Sequence, residues 1–414
     1  MPLRKIASDS PSVALVNLGC TKNTVDSESA LGDLLDRGFS FAHDAATADI
    51  ILINTCGFIE DARAEAVDEI LAAVELKADN PRLKVVAMGC LAQRCGQELL
   101  QEIPELDGVL GLGAYARLES HCRAILRGKR VCAISGDSAT LTERPRLLLT
   151  GDAFAYLRIA DGCDNRCSYC AVPLIRGGYK SRGFRPIVEE AQALSAQGIR
   201  ELNLIAQDIT RYESGGRTLA DLLRELLKIP EKPWIRLLYA HPASLTDDVI
   251  ELLGSEPQLL GYLDLPLQHI NTRILKLMRR RIDRAGIEAL LAKLRRIDGL
   301  VLRTSMIAGF PGETEAEFTE LLEFVREGYF QHLGAFAFSR EEDTPAYDMD
   351  GQIPDEIRAN RRDQLMEAQQ EVAFRWLDSR VGSVTEVLAL GVDDGRVYGR
   401  SRSEAPDVDG VVWL

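Results

Sequence analysis

The feature that most constrains this chain is a rhythm. Short apolar runs, each long enough for one buried strand, alternate with helical patterns along most of its length. Parallel neighbours need long crossovers, which helices fill, so the rhythm selects parallel sheets covered by helices. It comes in two series. In the first, VALVNL (13–18), DIILIN (49–54) and LKVVAM (83–88) are the strand candidates. Their unbroken apolar character suits strands buried on both faces. Between them, residues 24–37 put Leu31, Leu34 and Leu35 on one helical face with Gly38 as the stop, and residues 58–78 form a second helix that opens acidic. This predicts a doubly wound α/β domain over 11–127. Residues 128–150, with GKRV, SGDSAT and ERPR, read as a connector.

The second series begins at 154. Its strand candidates are FAYLRIA (154–160), ELNLIA (201–206), IRLLYA (235–240), YLDLPLQ (262–268), LRTSMI (302–307) and LGAFAF (333–338). A helical pattern follows each of the first five; in 315–327, Phe318, Leu321, Leu322 and Val325 share a face. Six such units fall short of a closed eightfold barrel and predict an open, partial (β/α)6 barrel over 151–378. A long polar helix over about 355–378 leads out of it. The remainder, 379–414, holds SVTEVLAL, RVYGRS and DGVVWL with Asp393, Asp394 and Gly395 as a turn. That predicts a short all-β segment, part of a small β-barrel.

There is no 18-residue uncharged apolar run, and no apolar core behind the basic N-terminal residues. The expectation is a cytoplasmic protein with neither membrane span nor signal peptide. The net charge of −14 argues against a basic nucleic-acid footprint and for a basic protein partner. The tail 381–414 is itself net acidic, with Glu386, Asp393, Asp394, Glu404, Asp407 and Asp409 against Arg396, Arg400 and Arg402.

Nine cysteines in a chain of 414 residues point to metal or catalysis in a reducing compartment, not to a disulfide scaffold. Cys163, Cys167 and Cys170 lie in DGCDNRCSYC (161–170), directly after the first barrel strand. A CxxxCxxC loop is compact enough to hold three corners of a cubane iron–sulfur cluster and leave the fourth iron open. A zinc knuckle completed by a distant residue is the competing reading. In the first series each main strand ends near a cysteine: Cys20 in VNLGC, Cys56 in LINTC and Cys90 in AMGC. Ligands of doubly wound sheets bind beyond the carboxyl ends of the strands, so three thiols there form a second open three-ligand set. Buried small hydrophobes are the alternative.

CDNRCSYC resembles the signature of the radical S-adenosylmethionine (SAM) enzymes, with Tyr169 at the position where that family prefers an aromatic residue. The order of three-cysteine domain, barrel and TRAM-type β-segment resembles the methylthiotransferases nearly end to end. AQDITRY (206–212), YAHP (239–242), AFSREEDTPAY (337–347) and SEAPDVDG (403–410) are most similar to the branch that modifies ribosomal protein S12. The resemblance implies two [4Fe-4S] clusters, on Cys20, Cys56 and Cys90 and on Cys163, Cys167 and Cys170. It implies two SAM molecules per product, one donating a methyl group to sulfur and one cleaved to a radical. That radical takes a β-hydrogen from an aspartate of S12, and the carbon collects the methylthio group. A flavodoxin-like electron donor is expected. The resemblance also places IAGFPGET (307–314), with Gly309 and Gly312, near the SAM adenosine; as residues alone these form a tight turn with Thr314 as an N-cap.

Gln207, Asp208, Gln268 and His269 follow barrel strands and so face the expected site, with Gln207 assigned to SAM. Arg176, Lys180 and Arg182 are either a solvated loop or carboxylate-recognising groups. Cys95, Cys122 and Cys132 read as free thiols, and His43, His121, His241 and His332 carry no assigned role. The alternatives are the same chemistry on a tRNA adenosine and a non-catalytic, metal-binding ribosome assembly factor.

Overall fold

Six short strands form the first sheet: β1 (Ser12–Asn17), β2 (Ser40–Phe41), β3 (Ile50–Thr55), β4 (Lys84–Gly89), β5 (Gly108–Leu110) and β6 (Val131–Ala133). The structure is a computed structural model that describes residues 10–134 and 146–414. All pairings in this sheet are parallel, in the order β2-β1-β3-β4-β5-β6. Helices α1 (Thr21–Asp36), α2 (Glu60–Glu75), α3 (Cys90–Glu102) and α4 (Leu118–Leu126) make the connections. Alternate residues of β3 serve two cores. Ile51 and Ile53 pack with Ile70 of α2 and Leu99 of α3, whereas Ile50 and Leu52 pack with Leu31 of α1 and Ile125 of α4. The sheet is therefore covered on both faces, which is why its strands read as continuous apolar runs.

The expected connector 128–150 is more than a connector. Its residues 131–133 are β6, paired with β5. A three-residue edge strand is too short to show a period, so the sequence hides it. Residues 146–149 run along α1, where Arg146 and the Leu149 amide both bind the fully buried Glu28 carboxylate. SGDSAT and the first three residues of ERPR lie outside the described residues.

The second sheet contains β7 (Phe154–Arg158), β8 (Glu201–Ile205), β9 (Trp234–Leu237), β10 (Leu259–Asp264), β11 (Val301–Ala308) and β12 (His332–Ala337). They pair in parallel in sequence order, with β7 and β12 at the edges. This is the open six-unit barrel that the sequence predicts. Its helices are α5 (Val172–Arg176) and α6 (Phe184–Ala196) after β7, then α7 (Leu219–Leu226), α8 (Asp247–Ser255), α9 (Thr272–Leu277), α10 (Arg284–Leu294), α11 (Glu315–Arg326) and α12 (Asp355–Ser379). Thr314 caps α11 in a reciprocal box with Glu317.

A three-stranded antiparallel sheet ends the chain: β13 (Val387–Asp393), β14 (Arg396–Ser401) and β15 (Val412–Trp413). Asp394 and Gly395 both take positive φ, as a two-residue hairpin turn requires. From Arg400 in β14 to Asp409 before β15 the chain meets every barrel strand. Tyr156 reaches Asp407, Glu201 reaches Arg400, Arg236 reaches the Arg402 carbonyl, Tyr262 and Arg303 reach Asp409, and His332 reaches the Ser403 carbonyl. Glu404 accepts from the amide and hydroxyl of Ser401. This qualifies the reading of the acidic tail: Glu404, Asp409 and Arg400 are engaged inside the fold, and the exposed Asp407 accepts from the Tyr156 hydroxyl, so several of these charges are paired within the chain.

The chain divides into two compact units. The first comprises the residues up to Leu149 with Asp161–Asp164 and Cys170–Lys180, and the second comprises Thr150–Ala160, Asn165–Tyr169 and Ser181–Leu414. Among the described residues no helix is long and apolar enough to cross a membrane.

Candidate active site

In the first unit, Cys20, Cys56 and Cys90 follow β1, β3 and β4, which are three adjacent strands. The strand order reverses between β1 and β3, so two of the thiols flank the switch point where such sheets bind ligands. Local structure fixes each position: Cys20 is the N-cap residue of α1, Cys56 follows β3 directly, and Cys90 opens α3. Gly19 lets the first two approach. At φ +87° a Cβ on it would stand 2.9 Å from Cys56 Cβ and 3.3 Å from its Sγ. Cys20 is exposed, Cys56 half-buried and Cys90 buried, and none is in a disulfide.

A buried polar lattice holds these strand ends. Asn23 Nδ2 donates to the Leu18 and Thr55 carbonyls, and Asn54 Nδ2 donates to the Asn23 carbonyl and Ser27 Oγ. Cys90 Sγ lies 3.6 Å from Asn23 Oδ1 and 3.5 Å from Arg176 Nη2. Burial pushes the Cys90 thiol up to about 12, against the opposing pull of the Arg176 cation. Burial likewise raises Cys56. Arg176 is therefore neither a solvated loop residue nor free to hold a substrate carboxylate. It also grips Asp26 at 2.8 Å and Asp161 at 3.2 Å.

The CxxxCxxC loop is tied down piecewise. Within the first unit, the Cys163 amide donates to the Gly177 carbonyl. Within the second, Asn165 Nδ2 donates to Asp208 Oδ2 at 2.8 Å, and Ser168 is bonded to the Leu277 and Met278 carbonyls. Arg280 Nη1 approaches Cys167 Sγ at 3.7 Å while its Nη2 holds the Pro266 carbonyl. Arg166 takes φ +52° inside the loop, and Tyr239 and Gln268 take φ +65° and +75° after β9 and β10. Left-handed residues other than glycine store strain, commonly beside functional sites.

Tyr169 packs with Ile307, Phe310, Ile274 and Met278, so the structure brings it against the loop carrying Gly309 and Gly312. The Gly309 amide donates to the Glu313 carboxylate, which Arg361 holds at 2.7 Å and which lies 3.4 Å from His269 Nε2. Asp208 serves the cysteine loop and the Thr210 amide, and Gln207 is half-buried beside it. Arg182 is buried and spent on the Arg158 carbonyl and Glu190, whereas Lys180 is exposed. Cys122 belongs to an apolar core and Cys95 packs against the other. His241 and His332 are structural acceptors or donors in the barrel. Sequence reasoning missed Asn23, Asn165 and Arg280, whose partners are distant along the chain. It also missed a basic groove lined by Lys276, Arg279, Arg280 and Arg281, hidden within an acidic total.

Among the described residues no three His, Cys, Asp or Glu side chains close around a single ion. A cubane asks for a different arrangement, one thiolate at each of three iron corners separated by the width of the cluster. Cys20, Cys56 and Cys90 on adjacent strand ends fit that demand. A cation beside Cys90 and another beside Cys167 also suit the negative charge of a thiolate-bound cluster.

Comparison with known proteins identifies the family. Residues 12–111 match the family described as "Uncharacterized protein family UPF0004", and residues 157–325 match the Radical SAM superfamily. A protein of Caldanaerobacter subterraneus subsp. tengcongensis named ribosomal protein uS12 methylthiotransferase RimO is 44% identical, with 97% of this chain and 93% of that protein covered. One of the same name from Syntrophotalea carbinolica is also 44% identical, covering 97% and 90%. Among solved structures, the radical SAM methyltransferase TsrM from Kitasatospora setae, with cobalamin and a [4Fe-4S] cluster bound, shares the fold at a TM-score of 0.59 and 17% identity, covering 81% of this chain and 77% of that one. With such identity over nearly the full length of both chains, this protein belongs to the RimO family of radical SAM methylthiotransferases.

Proposed function

We propose that the protein transfers a methylthio group to the β-carbon of an aspartate in ribosomal protein S12, using two SAM molecules and two [4Fe-4S] clusters. The observation that carries this reading is the pair of open three-cysteine sets, one at adjacent strand ends of a doubly wound sheet and one in the loop after the first barrel strand. When bound, the clusters supply the electron that cleaves SAM to a hydrogen-abstracting radical and the site at which sulfur is held for transfer. In this reading Cys163, Cys167 and Cys170 hold the first cluster, and Cys20, Cys56 and Cys90 the second. Tyr169, Gly309 and Gly312 accommodate the adenosine, and Gln207 hydrogen-bonds SAM. Arg280 orients Cys167, and the Asn165–Asp208 bond fixes the loop between its first two cysteines. The protein works in the cytoplasm, with a flavodoxin-like protein as electron donor.

The test is an anaerobic reaction with SAM and reductant on three acceptors: purified S12, small ribosomal subunits and bulk tRNA. The expected result is a mass gain of one methylthio group in place of hydrogen, located on an aspartate of S12 in the absence of tRNA. Modification of tRNA with S12 left unchanged would overturn the assignment.

A further inference from the structure

Arg176 ends α5, six residues beyond Cys170, and is 3% exposed. Its guanidinium makes a fixed fork. Nη1 faces both oxygens of Asp161 at 3.2 and 3.3 Å, and Nη2 meets Asp26 Oδ2 at 2.8 Å, Asn23 Oδ1 at 2.9 Å and Cys90 Sγ at 3.5 Å. Asp161 stands two residues before Cys163, and Asn23 stands three residues after Cys20. One buried cation thus touches a ligand of one cysteine set and the segments that carry a ligand from each. Leu112, Ala171 and Ile175 pack around Cys90 and keep water out, which strengthens any charge interaction there. Structural need alone explains a cation between two aspartates. It does not explain the third contact, to a thiol, from the same nitrogen.

We infer that Arg176 is a positioning residue that orients the Cys90 sulfur and stabilises the reduced form of the cluster held by Cys20, Cys56 and Cys90. The inference rests on the two-cluster reading. Reduction adds an electron, and a guanidinium hydrogen-bonded to a ligand sulfur favours the added charge. Removing Arg176 would also leave Asp26 and Asp161 unopposed, which pushes in the same direction. Arginine suits the post because its planar fork reaches two carboxylates and a sulfur at once, whereas a lysine ammonium is a point charge.

The test is a redox titration in the full chain with Cys163, Cys167 and Cys170 replaced by alanine, so that a single cluster reports. The parent should hold about four irons. Arg176→Gln should keep them and shift its reduction equilibrium at least tenfold toward the oxidised form, about 59 mV for one electron. Arg176→Lys should recover part of that shift. An unchanged potential in an iron-replete Arg176→Gln protein would overturn the inference. If that variant fails to fold, Arg176→Lys decides: a shift of roughly threefold in the same direction is expected, because one ammonium cannot span Asp161 and Cys90, and no shift overturns it. A parent without iron would instead overturn the two-cluster reading, and the inference with it.

Discussion

Arg400 Nη2 stands 2.5 Å from Glu201 Oε2, and the two buried residues are 199 positions apart in the chain. Glu201 also receives Arg236 at 2.7 Å. One carboxylate at the start of β8 therefore pairs with two guanidiniums, one from β9 and one from β14, at the end of the barrel away from the cysteine loop. Removing one member of a buried charge set leaves the others uncompensated, at a cost of about 3–5 kcal/mol. Glu201→Gln should lower stability by that amount in chemical denaturation. Glu386→Gln, at a side chain 70% exposed, should stay within about 0.5 kcal/mol of the parent.

The buried His241 makes stability depend on pH. Its Nδ1 accepts from the Ala243 amide, and burial, reinforced by Arg280, Arg281 and Arg211, lowers it from 6.5 to about 3. In the unfolded chain the imidazole takes a proton near pH 6.5; in the folded chain it stays neutral until about pH 3. Its contribution is therefore fully present above pH 6.5 and is lost as pH falls below that value. At about 1.4 kcal/mol per pH unit, the loss by pH 5 is roughly 2 kcal/mol. His241→Asn keeps an acceptor for the Ala243 amide and removes the titration. The difference in unfolding free energy between pH 7 and pH 5 should shrink by about 2 kcal/mol in this variant.

Two glycines of the IAGFPGET loop should respond differently to the same substitution. A Cβ on Gly309 would lie 2.3 Å from Arg358 Cγ and 3.1 Å from its Cα, whereas a Cβ on Gly312 meets nothing nearer than Arg273 Nη1 at 4.0 Å. Both have positive φ. Gly312→Ala should cost only the left-handed penalty of about 1–2 kcal/mol. Gly309→Ala adds overpacking of about 1–3 kcal/mol and displaces the loop beside Tyr169. Equilibrium dialysis of SAM with the reconstituted protein should show weaker binding for Gly309→Ala than for Gly312→Ala.

Much of this was legible because it is local. β3 is buried along its whole length, and its apolar run over 50–53 marks the strand beyond whose end Cys56 lies. β4 is buried from Val85 onward and marks Cys90 in the same way, and the CxxxCxxC spacing needs no tertiary knowledge. What was hidden depends on partners far apart in sequence. Arg176 looks like any loop arginine until Asp26, Cys90 and Asp161 surround it. The acids of SEAPDVDG look like surface charge until Tyr156, Tyr262 and Arg303 meet them. Composition cannot tell a solvated carboxylate from one consumed by the fold, so the tail's charge says nothing of which acids the barrel engages.

The claim that holds the account together is that the chain carries two separate clusters. Iron and sulfide content after anaerobic reconstitution tests it most directly, on the wild type, on the Cys163→Ala/Cys167→Ala/Cys170→Ala variant and on the Cys20→Ala/Cys56→Ala/Cys90→Ala variant. The account predicts about eight irons in the wild type and about four in each variant. About four in the wild type and none in the Cys163 triple variant would mean that the first sheet holds no cluster, and the transfer of sulfur from it would be contradicted.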